Sequence, residues 1–349
     1  MNALLVHGSV GKAEGIARDP SGITIAPPAR ALEQGGGDAL LGPDEITATS
    51  GPQGLGTVVN GGTSCTSGLC AVTGGTQAGT NLFHRFDAFN TSGGQITGAS
   101  IDNATGGASH VFVGVLSPTL IDRTVGLTSP GSLTWLSPAG ISIQGAGGFT
   151  NVSNLTLSTA TGARIGNGIF DALNSTAAQA SQLNGTPVNG RAGLVTDAQS
   201  LSGLALSKNG DLSVSGGLLT VDKELLLDAQ GGNVLLQGAQ IQAAAISVSG
   251  ERIVQNGGSL NASTPGGTAP AAAGGTVSVQ ATSQLQASGE VIAKGTGDQA
   301  KGGTIELTAP AVSLIGAQVD ASGSGGGGAV HIGGGYQGSA LSQGGGNAT

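Results

Sequence analysis

The chain has 349 residues, of which 67 are glycine, with 9% charged and 2% aromatic residues and a formal charge of −8 from 12 Lys+Arg against 20 Asp+Glu. The charged fraction is far below the rough quarter of an ordinary globular enzyme, and 38% apolar residues in short β-branched runs exclude a disordered chain. The acidic balance argues against nucleic acid and an anionic membrane surface, because both require clustered Lys and Arg.

Glycine shows no period of three and proline numbers only 12, which excludes collagen. A chain rich in Gly, Ala, Ser, Thr, Asn, Gln and Val suits a narrow, tightly turned, repetitive β-structure. Small side chains let neighbouring backbones approach, and glycine supplies positive φ at corners.

Residues 1–42 are rich in breakers ("APPARALEQGGGDALLGPDE") and read as a poorly ordered N-terminal arm. Met1–Lys12 carries a four-residue apolar patch and no basic n-region, so no signal peptide is visible. No apolar run approaches the length of a membrane span. From Glu45 onward, Ile46, Leu55, Val58 and Val59 are separated by turn residues, which predicts short strands.

Both cysteines, Cys65 and Cys70, lie in "SCTSGLC". The pair lacks further ligands for zinc and is spaced too widely for a C-x-x-C redox motif. It reads either as two buried thiols or as a local disulfide across a glycine-containing turn, the latter implying an oxidising compartment.

The stretch "NLFHRFDAFN" (81–90) holds three of the six phenylalanines, and all six, with Trp135, fall between positions 83 and 170. Leu82, Phe83, Phe86 and Phe89 form an apolar patch, read as a turn-like segment covering one end or flank of a column, or as an ordinary cluster in the core of the head. His84, inside this patch, reads as a structural residue bonding a backbone carbonyl.

The tail repeats. "GAQIQA", "GGSLNA", "SGEVIA" and "GAQVDA" place Ile241, Leu260, Val291 and Val319 at steps of 19, 31 and 28 residues. The strand starts "GGNVLLQ", "GGTVSVQ" and "GGTIELT" form a second series. Such periods signal stacked units that bury an apolar face only by piling on one another. Helical spacing is absent, so the expected architecture is a parallel β-helix, its longer steps carrying loops such as "STPGGTAPAAAGG" (263–275). Its open ends are exposed edges that need capping.

Motifs for chemistry are missing: there is no G-x-S-x-G elbow, no H-E-x-x-H, no Walker lysine and no nonapeptide calcium repeat. The G-x-G-x-x-G spacing at Gly323, Gly325 and Gly328 lies in a polyglycine loop, where any spacing matches. Asp222 and Glu224 share a strand face with Asp228 beyond them. Glycoside hydrolysis would need two such carboxyls flanking one bond, and the alternative is a solvated strand edge containing Lys223. No cofactor, metal or catalytic residue is expected.

The stretch from Asp44 to Gly148 resembles the secretion domain of two-partner-secretion exoproteins, the filamentous haemagglutinin family. The resemblance rests on "ITATSGPQGLGTVVNGG", "CTSGLCAVTGGTQAGTNLFHRFDAFNTSGG" and "GSLTWLSPAGISIQGAGGF". Ser137, Pro138, Ala139 and Gly140 stand as a variant of the second of the family's two Asn-Pro motifs, and Ser117–Leu120 ("SPTL") is a loose counterpart of the first. The resemblance implies an all-β fold, a right-handed parallel β-helix with an N-terminal cap and extra-helical β elements. Residues 43–230 would then be the secretion domain and 231–349 a β-helix repeat region. It further implies a secreted bacterial surface protein, an adhesin, that passes the periplasm and is recognised while unfolded. The partner is an outer-membrane β-barrel transporter with periplasmic receptor domains, followed outside by a host or cell-surface glycan or protein. Recognition or capping would fall to Asn81, Leu82, Phe83, Phe86, Phe89 and Asn90 together with Ser137–Gly140. The alternatives are a β-helix carbohydrate-active enzyme, lyase or hydrolase, or a passive matrix protein.

Overall fold

Short runs that alternate aliphatic with small polar residues put every second side chain on one face, and these runs pair in parallel. The structure, a computed structural model, describes residues 44–196, 210–263 and 271–333; the expected N-terminal arm lies outside them. It is a parallel β-helix whose coils visit three ladders in turn. The first ladder stacks Cys70, Ala99, Val125 and Phe149, then resumes as Leu219, Ile241, Leu260, Val291 and Val319. The second runs Leu82, Val111, Leu133, Leu155, Leu225, Ile246, Val277, Ile305, Val330. The third runs Thr119, Ile141, Leu212, Val234, Ile253, Leu285, Val312.

Inward-facing residues of all three ladders merge into one hydrophobic column that extends from Ile46 to Ala321. Each fully buried Val, Leu or Ile contributes about 1.5–3 kcal/mol relative to exposure. Asp228 pairs with Ser158 in the coil before and Ser249 in the coil after.

The aliphatic series Ile241, Leu260, Val291 and Val319 is directly paired, residue on residue. The second series is mixed. Val277 pairs with Ile305 on the second ladder, whereas Val234 pairs with Ile253 on the third. The Gly-Gly signal marks corners in general, not one ladder. A Cβ built on Gly275, Gly303 or Gly328 would lie 1.8 Å from Ala244 O, 2.0 Å from Gly275 O and 1.8 Å from Gly303 O, respectively. These glycines stack on one another, so no side chain fits at that corner.

Antiparallel strands close the N-terminal end. Glu45–Ala48 pairs with Ser64–Cys65 and with Asn81–Asn90, Thr57–Val59 pairs with Gly68–Gly74, and Thr76–Ala78 pairs with Asn81–Phe83. The phenylalanine-rich stretch is therefore not a turn-like cover. Asn81–Asn90 is a ten-residue strand and the first rung of the second ladder. The cap is the segment from Glu45 to Ala78 that sits on it.

After Ser158 the chain leaves the column and rejoins it at Leu212. The described part of this excursion holds an antiparallel hairpin, Gly162–Ile165 with Gly168–Asp171, the helix Ala177–Ala180 and the strand Leu194–Val195. It covers the outer face of the second ladder through a second apolar cluster containing Leu55, Phe83, Phe112, Phe170 and Leu183. No helix among the described residues is long and apolar enough to cross a membrane.

Candidate functional site

Alternation along Asn81–Asn90 sends two sets of side chains to opposite faces. His84 shares its row with Val113, Trp135 and Leu157 of the column. Leu82, Phe86 and Phe89 also belong to the column, the last two on either side of the register shift opposite Thr47 and Ala48. Phe86 and Phe89 meet edge to face at 5.3 Å, Phe89 meets Trp135 at 4.6 Å, and Trp135 meets Phe149 at 6.3 Å. The Trp135 indole N–H donates to Thr119 Oγ1 at 3.1 Å. On the outer face, Phe83 stacks on Phe112 at 5.2 Å and meets Phe170 of the hairpin at 4.9 Å. All six phenylalanines and the single tryptophan thus fall into two clusters on the two sides of one sheet. Aromatic pairs of this kind add about 0.5–1.5 kcal/mol each beyond their area.

Polar side chains on the outer face key neighbouring elements to this strand. Asn81 Nδ2 donates to the carbonyls of Leu183 and Gly185, each at 2.8 Å. Its Oδ1 is buried without a partner among the described residues. Arg85, fully buried, donates from Nε to Ala172 O (2.7 Å), from Nη2 to Asp171 O (2.9 Å) and from Nη1 to Gln53 O (2.6 Å). One guanidinium therefore joins the cap turn Gly51–Gln53 to the excursion hairpin. Burial lowers its pKa to about 10, opposed by Asp171 and Asp87, so it stays charged at neutral pH. Sequence reasoning passed over Arg85; the available signal was a lone arginine among the phenylalanines of the strand.

His84 is fully buried, and burial lowers its pKa from 6.5 to about 4, with Asp102 weakly opposing. The imidazole is neutral at physiological pH. Its Nδ1 lies 3.2 Å from Thr57 Oγ1, a side-chain partner in place of the expected backbone carbonyl. Thr57 Oγ1 also accepts from the Arg85 N–H at 3.2 Å. At the end of the strand, Asn90 Oδ1 accepts from Ser92 N at 2.9 Å and from Ser92 Oγ at 2.8 Å.

Ser137–Gly140 carries the chain from the second to the third ladder. Gly140 N donates to Ser137 O at 3.0 Å, and Gly140 takes φ of +126°, which disfavours any side chain there. Ser137 Oγ, fully buried, is 2.8 Å from Gly140 O and 3.0 Å from Ser117 O. Pro138 O accepts from Gly210 N at 2.7 Å as the chain returns from the excursion. Ser117 N in turn donates to Asp87 O at 3.2 Å. The strand, the "SPTL" segment and the Ser137–Gly140 turn are thereby brought onto consecutive coils. Asn81, Phe83, Phe86, Phe89 and Ser137 are each 0% exposed, so the folded protein does not present them.

Cys65 and Cys70 form a disulfide, with a Cα–Cα distance of 5.8 Å. Cys70 begins the first ladder opposite Ala99, and Cys65 pairs with Ile46, so the bond ties two strands within the cap, one of which starts the ladder.

Asp228 of "TVDKELLLD" stands apart from the pair Asp222 and Glu224. Asp222 and Glu224 are exposed. Asp228 is buried, accepting from Ser158 Oγ (2.9 Å), Gln230 Nε2 (2.7 Å) and Ser249 Oγ, with Arg191 Nε of the excursion at 3.5 Å. Along an extended strand, Glu224 and Asp228 are roughly 13 Å apart, beyond the spacing that hydrolysis uses. Among the described residues, no group of three or more His, Cys, Asp or Glu is arranged to hold a metal ion.

No protein-family model matches the chain, and no curated protein sequence matches it. Among solved structures, the chain is similar to the crystal structure of a filamentous hemagglutinin secretion domain. The TM-score is 0.47 at 15% identity, covering 83% of this chain and 99% of that one.

Proposed function

We propose that this chain is an exported, non-enzymatic bacterial surface protein of the two-partner type. In this reading residues 43–230 direct passage through a partner outer-membrane β-barrel transporter, and the later coils extend outward as an adhesin-like rod. The observation that carries the reading is the polarity of the column. Its N-terminal end is closed by antiparallel strands, and each later coil pairs with the coil before it and the coil after it. A chain emerging N-terminus first builds a finished template at once, and every further coil adds its own free energy of stacking. Folding outside a pore then draws the chain forward without a nucleotide.

Two further features support the reading. The motif side chains are buried on both faces of the first rung, so a receptor that reads them meets the extended chain, before folding. The disulfide spans a sequence separation of five, which keeps a translocating thread thin. The Asp228 carboxylate is engaged by two serines, a glutamine and an arginine, a structural setting and not that of a general acid.

The test is secretion of the full chain with and without a co-expressed partner barrel, and of a variant lacking residues 44–150. Export that requires the transporter and is lost on deletion is expected. Secretion indifferent to both would end the proposal.

A further inference from the structure

The excursion leaves a cleft of about 350 Å³ between itself and the outer face of the second ladder. Its floor presents His110, Thr134, Thr156 and Glu224, outward residues of successive coils; its wall presents Arg164 and Asn189. None of these six side chains has a hydrogen-bond or ion-pair partner among the described residues. Ser132 and Asn154, which also line the cleft, bond each other at 2.9 Å, and the nearby Asn81, Arg85 and Asp228 bond within the protein. Of the six, His110, Thr134 and Thr156 are half-buried, whereas Glu224, Arg164 and Asn189 are exposed; half-buried polar groups left unpaired are met by water or by a ligand.

The chemistry of the cleft narrows the ligand. The floor strands are paired with the coils on both sides, and the wall strand Leu194–Val195 is two residues long. Among the described residues the cleft has no free backbone edge of useful length to capture a peptide by strand addition, so recognition falls to hydroxyl, amide and imidazole groups. Arg164 and Glu224 carry opposite charges and disfavour a strong polyanion or polycation. Coils repeat at roughly 4.8 Å, close to the separation of equatorial hydroxyls two carbons apart on a pyranose ring, which matches Thr134 and Thr156 on adjacent coils. The volume lies at the small end of the ligand-site range of about 300–1,000 Å³.

We infer that this cleft binds a short uncharged saccharide, a mono- or disaccharide unit, read by Thr134 and Thr156 from below and by Asn189 and Arg164 from the side. The inference is independent of export, because it concerns the purified folded chain.

The experiment titrates that chain with cellobiose, maltose, lactose and N,N′-diacetylchitobiose by calorimetry and by NMR of the labelled protein. At least one sugar is expected to bind, with the Thr134→Val/Thr156→Val variant weakened at least about tenfold while its melting temperature stays near that of the parent. Asn189→Ala, on the exposed wall, supplies a second variant with the same expected direction if the valine pair fails to fold. No binding by any of the four at about 10 mM, unchanged affinity in the variant that folds, or tighter binding of a charged heparin fragment would each overturn the assignment.

Discussion

Replacing Arg85 by methionine is expected to lower the free energy of unfolding by about 3–5 kcal/mol and to free the excursion for proteolysis. Methionine keeps most of the aliphatic volume, so the loss falls on polar contacts. Three charge-assisted bonds disappear, and the carbonyls of Gln53, Asp171 and Ala172 lose this donor. Those carbonyls belong to two elements, the cap turn and the hairpin end, that meet at this guanidinium. Chemical denaturation measures the energy, and limited proteolysis between residues 160 and 196 reports the detachment. Arg85→Lys should fall in between, since an ammonium cannot present the same planar fork of donors. A methionine variant within about 1 kcal/mol of the parent, with an uncleaved excursion, would show that the guanidinium does not hold these elements together.

Acidification is the second large effect. The folded-state pKa of His84 is lowered by burial to about 4, against 6.5 when exposed. Its contribution to stability is therefore fully present above pH 6.5 and is lost progressively as pH falls toward 4, because the unfolded chain takes up the proton first. The window corresponds to about 3 kcal/mol. Carboxylates titrate in the same range, so the reading is the difference between the parent and His84→Leu. Leucine suits a row occupied by Val113, Trp135 and Leu157. The parent should lose stability more steeply than the variant between pH 6.5 and 4; parallel curves would mean that His84 is hydrated or charged in the folded protein.

The tail was legible because a parallel β-helix pairs equivalent residues of successive coils, so Ile241, Leu260, Val291 and Val319 had to recur in the sequence as they do in space. The Gly-Gly starts misled because glycine recurs at tight corners whichever ladder follows, by positive φ at Gly231 and by close backbone approach at Gly275 and Gly303. Asn81–Asn90 resembled a turn since a strand buried on both faces shows no apolar–polar alternation, and the register shift before Phe89 breaks the parity further. The roles of Arg85 and Asp228 were hidden for another reason. The partners of Arg85 lie 32, 86 and 87 residues away, and Arg191, which approaches Asp228, belongs to an excursion that local pattern does not place.

Pulsed hydrogen exchange during refolding of the full chain tests most directly whether the capped first coils template the rest. Amides of Leu82–Leu136 should gain protection first, those of Leu225–Asn256 next and those of Val277–Ile332 last. Simultaneous protection along the column, or protection appearing first in the coils after Val277, would contradict the account.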